Sequence, residues 1–174
     1  MMNLIFRDAT KQDIPAIVAL VESAYRGDSS RIGWTTEADL LDGRRIDDEA
    51  VAIDIARPRS RIRLAFDNEV LLACAHIADV DNAGYFGMFS VRPDMQGAGI
   101  GKAMMDDAEA LVREEFGRRF MRMTVIDVRE DLIAFYERRG YRRTGIKKPF
   151  PYGDERFGIP RRDDLRFEIL EKVL

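Results

Sequence analysis

Between Val91 and Ala103 the chain reads Val-Arg-Pro-Asp-Met-Gln-Gly-Ala-Gly-Ile-Gly-Lys-Ala, a proline stop followed by alternating glycines and then a helical pattern. Glycines at 97, 99 and 101 carry no side chain to keep a ligand off the main chain. The N–H groups that open a helix point one way, with the positive end of the helix dipole behind them. Such a turn is suited to cradle an anion, a pyrophosphate above all. The same glycines also suit a plain strand-to-helix turn that needs positive φ, and alone they leave both readings open. Two familiar phosphate motifs do not fit. A P-loop needs Ser or Thr after its lysine, where Ala103 stands, and a glycine at the position of Gln96. A dinucleotide fingerprint would place its third glycine at Lys102 and would follow the first strand of a βαβ unit.

Three other side chains have chemistry to offer. Tyr136 is a phenol on an amphipathic segment, where the plain reading is a core aromatic. His76, the single histidine, is a candidate base or proton relay, where the plain reading is a structural histidine. Cys74, the single cysteine, reads as a small buried hydrophobe, since no base-and-orienter pair accompanies it. One thiol and one imidazole make neither an intrachain disulfide nor a closed zinc site, so no metal is expected.

The elements that position these groups follow from periodicity. Asn3 to Arg7 reads as a strand; Thr10 and Asp13 then open a helix with Ile14, Ile17, Val18, Val21 and Tyr25 on one face. Residues 26–49 read as loop and short helices, and 48–56 as a helix broken before Pro58. Residues 61–66 alternate as a strand, Asp67-Asn68 turns into Val70 to Ile77, and Tyr85 to Val91 completes an antiparallel meander. Ile100, Met104, Ala108, Leu111 and Val112 mark a helix running to about Phe116. Arg119 to Ile126 is the next strand. Asp127, with Glu130, is expected to cap a short helix carrying Leu132, Ile133, Phe135 and Tyr136 and ending at Gly140. Tyr141 to Ile146 resumes as a strand, 147–162 as a loop, and Leu165 to Val173 closes the chain in alternation.

Composition narrows the function classes. With 174 residues the chain reads as a single domain over 1–174, with 46% hydrophobic and 34% charged residues. A net charge of −3 offers no electrostatic attraction for nucleic acid. No apolar run approaches the ~20 residues of a membrane span, and Met1 to Thr10 lacks signal-peptide character, so a cytoplasmic protein without nucleic-acid or membrane partners is expected.

The run from Val91 to Ala103 resembles the Q/R-x-x-G-x-G/A signature of the GNAT superfamily of N-acetyltransferases, and Leu132-Ile133-Ala134-Phe135-Tyr136-Glu137-Arg138-Arg139-Gly140-Tyr141 is similar to that family's A-x-x-x-Y-E-x-x-G-F. Both stand in the family's order, in a sequence resembling that of largely uncharacterised bacterial members. The resemblance implies an α/β (α+β) acyl-CoA N-acyltransferase fold, a mixed central sheet of about seven strands flanked by helices. It also implies acetyl-CoA as cosubstrate. The main chain around Phe89, Ser90 and Val91 would meet the pantetheine arm. Gln96, Gly97, Ala98, Gly99, Ile100, Gly101 and Lys102 would hold the pyrophosphate. Tyr136 would face the sulfur and protonate the departing thiolate after direct attack by an amine in a ternary complex. Arg129 stands where the family often has asparagine, so it reaches a phosphate or the acceptor instead.

The family's acceptor loops correspond to 26–49 and 147–162. Trp34, Phe150, Pro151, Tyr152 and Phe157 are candidates to wall an apolar slot, and Asp28, Glu37, Asp39 and Asp42 to draw a cationic amine. Arg26, Arg31, Arg44 and Arg45 would pair with those acids or bind a substrate carboxylate; a salt-bridged surface is the alternative. The base is open among His76, Glu37 and Asp39, because Tyr85 to Val91 holds no carboxylate. The acceptor is a primary amine of a small molecule or peptide, the competing function a non-catalytic acyl-CoA-binding or sensing module. A homodimer is consistent with the apolar last strand.

Overall fold

A computed structural model describes residues 2–26, 36–42, 46–153 and 158–174, with the main chain alone at Asp42. Strand β1 (Leu4–Asp8) leads through a 3-10 turn (Lys11–Asp13) into α1 (Ile14–Tyr25). As the sequence suggests, Asp13 reaches back to the Thr10 amide at 2.8 Å and fixes the start of the helix. There follow β2 (Leu41–Asp42), α2 (Asp48–Ala56), β3 (Ser60–Asp67), β4 (Val70–Val80) and β5 (Ala83–Val91). Next are α3 (Ile100–Leu111), continued by a π-helical turn over Val112–Phe116, β6 (Phe120–Ile126) and α4 (Glu130–Glu137). The chain closes with β7 (Arg142–Pro149), β8 (Ile159–Pro160) and β9 (Arg166–Val173).

Seven strands form one mixed sheet in the order β1-β3-β4-β5-β6-β9-β7. Successive residues of a strand face opposite sides, and β4 shows the two layers this creates. Ala73, Ala75 and Ile77 pack in the cluster that holds Ile100, Met104 and Ala108 of α3 and Ile133 of α4. Cys74, fully buried, packs in the cluster of Ile17 and Val21 from α1 and Val51 from α2. Helices therefore cover both faces, as the resemblance implies.

Two irregularities in the middle of the sheet make the site. Strands β5 and β6 run parallel but pair only at Gly84 with Met121 and Tyr85 with Arg122, so their continuations part. One residue of β4, Ala75, opposes Met88 and Phe89 of β5, a bulge between the pairs Cys74–Ser90 and His76–Gly87. Met88 takes φ of 53° there. A bulge bends its strand and re-aims the side chains beyond it.

Two expectations need correction. Leu41–Asp42 and Ile159–Pro160 pair as a separate two-stranded sheet where the sequence reads as loop; two residues are too few to show a period of two. Asp127 does not cap α4, whose N-cap position is Arg129. Its carboxylate instead takes Lys147 at 3.3 Å and Arg166 at 3.2 Å, and two cations outweigh a neutral amide as partners.

Candidate active site

The glycine turn begins where β5 ends. After a single 3-10 turn over Pro93–Met95, Gln96 folds its side chain back so that Nε2 donates to the Val91 carbonyl at 3.1 Å. Gly97 and Gly99 then take φ of 90° and 84°, in the left-handed region that favours glycine, and Gly99 is the N-cap of α3. Gly101 has a different reason to be glycine. A Cβ there would stand 3.1 Å from the Phe89 ring and 3.5 Å from the Phe135 ring, so its absence lets the helix start settle onto both aromatics. A cavity of about 380 Å³ opens over this turn, bounded also by Phe89, Val91, Phe135, Arg138 and Arg139. Amides at a helix start, three glycines and arginine donors suit an anionic ligand laid against main chain.

A second cavity, about 220 Å³, lies in the gap where β5 and β6 part. Its wall includes Tyr25, Tyr85, Gly87, Thr124, Arg129 and Tyr136. Phe89 belongs to both cavities. The neighbouring aromatics of α4 divide between them: Phe135 borders the first and Tyr136 the second. Phe89 lies 6.4 Å from each of those rings, centroid to centroid.

Tyr136 is 4% exposed. Burial holds its proton well above the usual phenol range; Tyr25 and Tyr85 add to this and Arg129 opposes it. The phenol is therefore neutral at physiological pH and keeps its proton to give.

On the acidic side of the second cavity Glu37 shows the pairing with arginine that the sequence offered as one reading of these acids. Glu37 is buried between two guanidinium groups: Arg26 Nε donates to Oε1 at 3.1 Å and Arg129 Nη1 to Oε2 at 3.2 Å. A carboxylate shared by two cations has little field left to draw an ammonium. Arg129 also donates to the Thr36 carbonyl at 3.4 Å and lies over the Tyr25 ring at 5.7 Å. It thus borders the second cavity, and it is not among the described residues that bound the first.

His76 sits one residue back from the second cavity. Ser60 Oγ donates to the Asp54 carbonyl at 2.7 Å, which leaves the His76 Nε2–H to donate to Ser60 Oγ at 2.8 Å. Nδ1 is 3.6 Å from Asp54 Oδ2. Burial is the main cause holding the imidazole below its ordinary pKa, offset in part by Asp54 and reinforced by Arg57. Its ring meets Tyr85 edge-on at 5.7 Å, so Tyr85 stands between the imidazole and the cavity.

The other predicted residues divide. Phe150 borders the second cavity beside Phe167, while Tyr152 packs behind Phe150 at 5.2 Å and uses its hydroxyl to accept from the Leu165 amide and donate to the Arg162 carbonyl. Trp34, Asp28, Arg31, Arg44, Arg45 and Phe157 lie outside the described residues. The carbonyls of Phe89 and Val91 each accept a hydrogen bond already, from Tyr25 and from Gln96. Sequence reasoning passed over Tyr25, Tyr85, Gly87 and the pair Arg138 and Arg139. Only the adjacent arginines inside the second signature were a readable sign.

No group of three or more His, Cys, Asp or Glu able to hold a metal occurs among the described residues, and no described helix is long and apolar enough to cross a membrane. A family model described as Acetyltransferase (GNAT) family matches residues 19–141. No curated protein matches the chain. Among solved structures, IAA acetyltransferase from Bacillus cereus ATCC 14579 shares 16% identity at a TM-score of 0.68, covering 99% of this chain and 100% of that one. Ribosomal-protein-S18-alanine N-acetyltransferase from Escherichia coli shares 17% at 0.68, with 98% and 94% covered. The Salmonella typhimurium protein yncA, solved with its cofactor acetyl-CoA, shares 18% at 0.70, with 98% and 94% covered. At these identities the likeness is one of fold.

Proposed function

The chain belongs to the acetyltransferase (GNAT) family, and from that premise we propose that it moves an acetyl group from acetyl-CoA to a primary amine of a small molecule or peptide. One observation carries the reading. The cavity over the glycine turn and the cavity in the β5–β6 gap share Phe89, so a ligand laid from one into the other passes beside the Tyr136 hydroxyl. The whole chain, 1–174, is taken as one catalytic domain.

Acetyl-CoA supplies an activated thioester carbonyl; the residues supply position and proton management. Amides from Gly97 to Lys102 would grip the diphosphate, and the open space beside Gly97 and Gly99 admits it to main-chain distance. The amine must shed a proton before it attacks, because an alkyl ammonium holds its proton to about pH 10. Glu37 is spoken for by two arginines, so that proton leaves through water. Tyr136 would give its proton to the leaving sulfur. Burial raises the phenol's pKa, and the same dry surroundings raise that of a thiolate formed there, so the match survives desolvation.

A second reading, binding of acyl-CoA without transfer, draws on the occupied state of Glu37 and the lack of a carboxylate on β5. Acetyl-CoA consumption against a broad amine panel, together with calorimetry on coenzyme A, separates the two. Turnover supports transfer. Tight binding with no turnover on any amine supports the sensor, and no binding removes both.

A further inference from the structure

The 220 Å³ cavity carries charge that acetyl transfer by itself does not explain. Its charged lining side chains among the described residues are Arg26, Glu37 and Arg129, two cations to one anion. All three are deeply buried, at 4%, 8% and 8% side-chain exposure. A guanidinium offers several N–H donors in one plane and no acceptor, and burying it is costly unless anions or carbonyls meet it. Glu37 gives one oxygen to Arg26 and the other to Arg129, so its carboxylate ties the two arginines together along the wall. The Thr36 carbonyl and the Tyr25 ring fix Arg129 from further sides, the kind of support that a binding group requires. After burial and Tyr25, Arg129 is the next group to act on the Tyr136 proton, so the guanidinium lies close to that phenol. Much of the remaining wall is apolar or aromatic, with Tyr85, Phe150 and Phe167 in it.

We propose that the acceptor is a small amine that also carries a carboxylate, a free amino acid, and that Arg129 with Arg26 holds this carboxylate; the proposal rests on the transfer reading above. A guanidinium meets a carboxylate through parallel N–H bonds, which fix its direction as well as its place. In an α-amino acid a single carbon separates the two groups. Anchoring the carboxylate at Arg129 therefore keeps the nitrogen beside Tyr136, where the thioester would lie. At about 220 Å³ the cavity is smaller than the roughly 300–1,000 Å³ of sites for drug-sized ligands, in keeping with one small molecule. A polyamine would bring its positive charges to two guanidinium groups, and the α-amine of a peptide has no carboxylate beside it. The step itself is unchanged: the nitrogen forms the amide bond, the thioester C–S bond breaks and the sulfur takes the Tyr136 proton. Of the two protons that the ammonium sheds, one leaves through water and the other replaces the one given by Tyr136.

The test is steady-state acetyl transfer by the full chain at saturating acetyl-CoA. Alanine, methionine and phenylalanine are each set against their own carboxamides, with spermidine as the polyamine. A carboxylate beside the nitrogen holds its proton to higher pH, so chemistry alone favours the carboxamide. A charge-assisted hydrogen bond corresponds to roughly tenfold or more in affinity. For at least one pair the wild type should therefore give a kcat/KM about tenfold or more higher for the amino acid, with spermidine slower than that amino acid. Arg129→Gln should lose about tenfold or more on the amino acid, mainly through KM, and far less on the carboxamide. That variant leaves Glu37 with one arginine fewer. Arg129→Gln combined with Glu37→Gln removes both charges together and should show the same loss of preference. Turnover with no preference for the carboxylate, or an equal loss on both members of a pair in both variants, overturns this assignment and leaves the transfer reading standing. Binding of coenzyme A with no turnover on any amine overturns the transfer reading, and this assignment with it.

Discussion

The Tyr25 hydroxyl donates to the main-chain carbonyl of Phe89, across 64 residues of sequence. Tyr25 is the last residue of α1 and Phe89 one of the two residues of the β5 bulge, so one phenol fastens the end of the first helix to the strand between the two cavities. Tyr25→Phe keeps the ring and leaves a buried carbonyl short of its donor. The expected cost is about 1–3 kcal/mol of stability, read as a lower urea midpoint at unchanged slope. Acetyl transfer should fall as well, because Phe89 loses its anchor. A variant matching the wild type in both would deny the tether any role.

Tyr136→Phe removes the phenol proton proposed for the leaving sulfur. General acid catalysis contributes about 10²–10⁴-fold, so kcat should fall by at least about a hundredfold. Affinity for coenzyme A, measured by calorimetry, should stay within about twofold, since the substitution removes only a hydroxyl and keeps the ring. An unchanged kcat would take the acid role from Tyr136.

Gly87 keeps Tyr85 in place. A Cβ at position 87 would stand 2.3 Å from the Tyr85 hydroxyl oxygen and 2.6 Å from the ring, so Gly87→Ala must swing that tyrosine away from the cavity. Its kinetic effect should therefore equal that of Tyr85→Phe or Tyr85→Ala, with the double variant no worse than the single ones. Additive losses in kcat/KM would show that the two positions act separately.

Glu168 gives the acid limb of stability. It is 2% exposed, with Arg143 at 2.7 Å and Lys147 at 2.6 Å, and the hydrogen bonds from Arg143 first, then Lys147, hold its carboxyl at about 2, below the ordinary 4.5. The unfolded chain takes up this proton at higher pH than the folded one. The stabilisation is therefore fully present above pH 4.5 and is lost as pH falls toward about 2. Urea midpoints measured across that window should drop steeply for the wild type and less so for Glu168→Gln, which starts lower at neutral pH. Parallel curves would exclude Glu168 as the source.

The sequence made legible what depends on local pattern. The alternation of 61–66, the helical stripe from Ile100 to Val112 and the glycines at 97 and 99 all express single-segment physics, and each stands where its pattern placed it. What it hid depends on partners far along the chain. The Met88 bulge exists because β4 and β5 differ by one residue in register, which no window on β5 reveals. Glu37 looked like a lure for an amine because Arg129, 92 residues away, gives no local sign of reaching it. Asp127 has the spacing of a cap but meets Lys147 and Arg166 from later strands. Tyr85 was one more strand aromatic until its position over Gly87 and against His76 was seen.

Diffraction from crystals grown with acetyl-CoA tests the central claim most directly. The diphosphate oxygens should lie within hydrogen-bond distance of amides between Gly97 and Lys102, with the thioester beyond Phe89 and its sulfur facing the Tyr136 hydroxyl. Density for the coenzyme on any other surface, with the glycine turn and the β5–β6 gap both empty, would contradict it.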